Sequence, residues 1–102
     1  MAVVFVTIAP VGTATPSLSA YVAGVERILR DSGLTHQLTA MGTIVEGDLD
    51  EILRVVRAMH EAPFAQGAVR VSTLIKIDDR RDQEHTIAGK MRSVEEKLRD
   101  AR

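Results

Sequence analysis

The chain has 102 residues, no cysteine and a formal net charge of −1; 45% of it is hydrophobic, 26% charged and 3% aromatic. That fits a single domain, 1–102, with one modest core built from aliphatic side chains. Without cysteine there are no disulfides, thiolate metal sites or thiol nucleophiles, and near-neutral charge with few aromatics supplies neither the basic field nor the stacking platform of a nucleic-acid binder.

The first element runs from Val3 to Ala9, a β-branched stretch stopped by Pro10, and reads as a strand. Both of its alternating sets are apolar, Val4/Val6/Ile8 and Val3/Phe5, so it is expected to be covered on both faces. No positively charged segment precedes it, which argues against a signal peptide. A Pro-, Gly- and Thr-rich loop follows, and Pro16 or Ser17 is expected to open a helix that runs to about Asp31 or Ser32. Its apolar stripe is Leu18, Tyr21, Val22, Val25, Ile28 and Leu29, with Gly33 as the stop.

Thr35 to Met41 alternates like a strand, Gly42 breaks it, and Thr43 to Gly47 resumes it, predicting a hairpin with a tight turn or bulge near Gly42. Asp48 or Asp50 caps a second helix to about Gln66, with Leu49, Ile52, Leu53, Val56 and Met59 or His60 along one side. Val69 to Asp78 is a fourth strand. From about Gln83 to Arg99 a third helix carries a narrow seam of Ile87, Met91, Val94 and Leu98. No apolar stretch approaches the roughly 20 residues of a membrane span, so a cytoplasmic protein with no membrane partner is expected.

The order β-α-β-β-α-β plus a C-terminal helix predicts an α+β, ferredoxin-like fold with a four-stranded antiparallel sheet. Two helices then cover one face. The other face is expected to carry Phe5, Thr7, Gln37, Thr39, Met41, Leu74 and Lys76, with Val3 and Val45. This surface is too apolar to be left to water, and a second copy of the chain is the simplest cover. A pocket at such a junction has the make-up of a small-molecule site, though the same residues also serve a plain oligomer interface.

Three stretches, Pro10 to Val22, Met41 to Leu53 and Val71 to Asp82, resemble a family of small thiamine-binding proteins, and LTAMGTIVEG is the most specific run. The resemblance covers almost the whole chain. It implies a ferredoxin-like fold, assembly through the sheets as a homodimer or homotetramer, and binding of thiamine or its pyrimidine portion as a ligand, with no separate cofactor. A thiamine binder needs a carboxylate for the cation or a pyrimidine nitrogen, a few hydroxyls and an apolar wall. Glu46 is the leading carboxylate, although strict alternation sets it opposite Thr43 unless a bulge intervenes. Thr7, Thr39 and Thr43 offer hydroxyls, Met41 and Phe5 an apolar wall, and Ser19 a contact at the start of the first helix. Ser17 reads as a helix cap.

Catalytic and metal readings have little support. His36, His60 and His85 lack ligand spacing, HEAPF lacks the second His of a zinc motif, and the loop after the first strand is not a phosphate loop. A non-enzymatic binder is expected. A purely structural module, or a small enzyme acting on a thiamine-related heterocycle, are the alternatives.

Overall fold

β1 (Ala2–Pro10) lies inside the sheet and organises it. In the computed structural model, which describes residues 1–13 and 18–100, β1 pairs antiparallel with β3 (Thr43–Gly47) on one side and β4 (Val71–Asp79) on the other; β2 (His36–Leu38) completes the order β2-β3-β1-β4. Helices α1 (Ser19–Ser32) and α2 (Leu49–Ala65) alternate with the strands, and α3 (Ile87–Asp100) follows β4. This is the expected ferredoxin-like arrangement. Pro16 and Ser17, expected to open or cap α1, lie outside the described residues.

The register sorts the side chains. Val4 stands opposite Val45 and Ile77, and Val6 opposite Thr43 and Ile75, on the face that α1 and α2 cover. Phe5 stands opposite Ile44 and Lys76, and Thr7 opposite Leu74, on the other face. Val45 was expected on that second face; paired with Val4, it is instead 0% exposed in the core. Two further expectations fail with it. β2 is only three residues long, so Thr39 and Met41 belong to the β2–β3 turn and not to a sheet face.

The core joins Val4, Val6 and Val45 to Val25 and Leu29 of α1 and to Ile52, Val56 and Met59 of α2. Each fully buried aliphatic side chain contributes about 1.5–3 kcal/mol. The helix ends follow the sequence. Gly33 closes α1 at φ 76°, in the left-handed region, and its N–H donates to the Arg30 carbonyl. Asp48 caps α2, its side chain accepting from the Glu51 N–H.

The second face is partly roofed by the start of α3. Glu46 points there, opposite Val3, and its Oε2 accepts the Ile87 N–H at 2.7 Å. An acidic side chain at a helix N-terminus satisfies an orphan donor and complements the helix dipole. Asp78 accepts from Lys90 Nζ at 2.6 Å and has His85 Nε2 at 3.2 Å; the Lys90 ammonium, then His85, hold its carboxyl below the usual carboxylate range. Past its first turns α3 leaves the body, and Met91, Val94 and Leu98 are exposed.

Glu46→Ala is expected to release the start of α3 while the four-stranded core stays folded. Hydrogen exchange should show faster exchange confined to 87–100. Equal acceleration across β1 and α2 would mean that the carboxylate supports the whole fold.

Candidate functional site

The β2–β3 turn closes over the end of β1 because of one hydroxyl. Thr39 Oγ1 donates to the Gly42 carbonyl at 2.7 Å and accepts the N–H groups of Met41 and Gly42 at 3.3 and 3.2 Å. The Thr39 N–H donates to the same Gly42 carbonyl at 2.8 Å. A threonine that bonds local backbone in this way competes with strand pairing, which is why β2 ends at Leu38. Gly42 then lies against β1. A Cβ there would sit 2.5 Å from Phe5 Cζ and 2.9 Å from Thr7 Cγ2.

Beneath the turn is a cavity of about 270 Å³ between β1, α1 and the 38–43 segment. Leu18, Val22, Val25, Leu38 and Met59 give it apolar walls, and Thr7, Thr39, Met41 and Thr43 line its other side. Glu26 of α1 also lines it. Its side chain is only 14% exposed, and Oε1 accepts the Thr43 hydroxyl at 2.6 Å. Its other oxygen lies 3.9 Å from His36 Nε2. His36 Nδ1 is 2.8 Å from the Leu34 carbonyl, which can only accept, so Nδ1 carries the proton.

A largely buried carboxylate with one hydroxyl hydrogen bond and an imidazole nitrogen at 3.9 Å retains acceptor capacity, and leaving that capacity unmet in an apolar wall is unfavourable. The cavity is therefore suited to a group that brings N–H donors or positive charge. Among the described residues no cluster of three or more His, Asp or Glu could hold a metal ion.

Four of the seven residues singled out in the sequence come together here: Thr7, Thr39, Met41 and Thr43. Thr39 has its one proton and both lone pairs engaged in the turn, so it shapes the wall and has no hydrogen bond to spare. Met41 is 82% exposed, at the rim. Ser19 lines an adjoining cleft on α1. Phe5 supports the turn from below and faces a separate groove under α3, which it lines with Val3, Ile44, Ile87 and Met91. Glu46 lines neither and is committed to α3.

The carboxylate of the cavity, Glu26, was missed. A signal was present. Glu26 falls four residues after Val22 and three before Leu29, inside the apolar stripe of α1, where a charged residue needs a partner.

Residues 4–95 match the family model described as thiamine-binding protein. The chain belongs to this family. Its relatives include the UPF0045 protein YqgV of Bacillus subtilis, 49% identical over 102 residues that cover 96% of this chain and 98% of that protein. Among solved structures, a hypothetical protein from Methanocaldococcus jannaschii superposes with a TM-score of 0.84 at 37% identity, covering 93% of this chain and 96% of that one. A Thermotoga maritima protein, provisionally described as a thiamine biosynthesis/salvage protein, gives a TM-score of 0.76 at 20% identity over 91% and 97% of the two chains, a likeness of fold. In this thiamine-binding family member no helix among the described residues is long and apolar enough to cross a membrane.

Gly42→Ala is expected to destabilise the protein by about 1–3 kcal/mol, the usual penalty of overpacking. Urea unfolding would measure it, and Phe5→Leu in the same chain should recover part of the loss. No recovery would show that the Phe5 ring is not what the added methyl meets.

Proposed function

We propose that this chain is a non-catalytic binding protein for a cationic aminopyrimidine of the thiamine type, held in the cavity under the β2–β3 turn. The observation that carries this reading is Glu26, a carboxylate 14% exposed in an apolar wall, with Thr43 as its hydrogen-bond donor. It can accept from an exocyclic amine or a protonated ring nitrogen, and it offsets a nearby thiazolium charge. Leu18, Val22 and Leu38 supply the flat apolar contact. The family match and the description of the Thermotoga maritima protein support the ligand class. The carboxylate role expected for Glu46 passes to Glu26, because Glu46 is already the acceptor for α3.

In this reading thiamine is the ligand, and the protein needs no further cofactor. Self-association belongs to the same proposal: a homodimer or homotetramer that covers the second sheet face. The exposure of Leu74 at 61%, with Phe5 and Ile44 beside it, supports that cover. Among the described residues β4 also stands at the edge of the sheet with no strand on its outer side, which favours a second copy as the neighbour.

Calorimetric titration with thiamine tests the site. Glu26→Gln is expected to weaken binding by about tenfold or more, equivalent to about 1.4 kcal/mol, because it removes the charge and keeps the shape. Thiamine should be recovered unchanged from the mixture. Wild-type affinity in Glu26→Gln would dismiss the site, and a product would dismiss the non-catalytic reading. For the assembly, light scattering should give twice or four times 11.1 kDa; a monomer at about 10 μM, well above the dissociation constant of a stable standard-size interface, would dismiss it.

A further inference from the structure

A second depression adjoins the cavity. The cleft on the outer side of α1 has a volume of about 570 Å³ and shares Val22, Glu26 and Leu38 with the cavity, so the two adjoin at the Glu26 side chain. Ser19, Arg27 and Arg30 line it. Arg30 is four residues beyond Glu26, about 6 Å along the helix axis. Arg27 and Arg30 are three apart and share one wall, and among the described residues neither pairs with a carboxylate. Two like charges at that spacing repel. An anion between them would remove the repulsion and gain charge-assisted hydrogen bonds from both guanidiniums.

The charges are therefore ordered in space: a carboxylate inside, two guanidiniums outside. A ligand that fits both has a cationic heterocycle at one end and an anionic group at the other. The alcohol arm of a thiamine-type molecule becomes such an anion when it is a phosphate monoester. We propose that the α1 cleft is an anion subsite, with Arg27 and Arg30 as its cations, and that the protein prefers the phosphate ester of its heterocycle to the free alcohol. This rests on the heterocycle reading of the cavity and adds the class of ligand to it.

The test compares thiamine with thiamine monophosphate by calorimetry at low salt, in wild type and in a chain carrying Arg27→Gln and Arg30→Gln. Both arginines are exposed, so the double variant should fold, which its thermal melt would check. Wild type is expected to bind the monophosphate about tenfold tighter than thiamine, with the advantage shrinking as salt rises. In the double variant the two affinities should agree within about twofold, with thiamine binding as in wild type. Inorganic phosphate should compete with the monophosphate and not with thiamine. Equal affinities in wild type, or an advantage that survives in the double variant, would overturn the anion subsite and leave the heterocycle reading standing. If neither ligand binds, both fall.

Discussion

A central strand that is apolar on both sides must be covered twice. β1 sets that constraint, because Val4 and Val6 point one way while Val3 and Phe5 point the other. The first cover, α1 and α2, forms the core over β1 and β3 and leaves Ile75 and Ile77 of β4 exposed. The second is the start of α3, held by a carboxylate from β3 and by the Asp78 cluster. That second cover is short, and the rest of the face remains open to another molecule. The cavity lies where the two regimes meet, at the end of β1 where the turn after β2 folds over the strand ends.

Much of this was legible because local rules and the tertiary fold agree. Pro10, Gly33, Asp48 and Gly42 punctuate the chain where the structure turns, and the helix stripes predict Val25, Leu29, Ile52, Val56 and Met59 as core. What failed was parity. Val45 was misassigned because the register of β3 against β1 cannot be read from β3 alone, and a shift by one residue exchanges the faces. Glu46 invites a ligand role in the sequence because the group it binds in the fold, the Ile87 amide, lies 41 positions along the chain. Glu26 is hard to single out because a charged residue on an amphipathic helix usually faces water; the Thr43 hydroxyl and the His36 ring, brought close by the sheet, account for its position.

Placing a largely buried carboxylate in that wall is unfavourable by itself, and one hydroxyl with an imidazole at 3.9 Å offsets that only in part. Stability alone would favour an apolar residue at 26, where the neighbours are Val22, Val25 and Leu29. Chains carry such mismatches at sites where chemistry is wanted, and the mismatch here coincides with the cavity. The Thr39 turn has the opposite character. Every hydrogen-bonding group on that side chain is used, so it contributes shape and rigidity.

The pairing of β1 has a consequence for how the chain is made. Ala2 at its start pairs with Asp79 at the end of β4, so β1 leaves the ribosome well before one of its two partners. Synthesis proceeds at about 5–20 residues per second, so a two-faced apolar strand stays incomplete for several seconds. Helical pairing of α1 with α2 can form earlier, but it closes over only one side. The nascent chain is thus most vulnerable to wrong partners just before β4 emerges, and non-local pairing of this kind slows folding relative to a helical bundle of equal length.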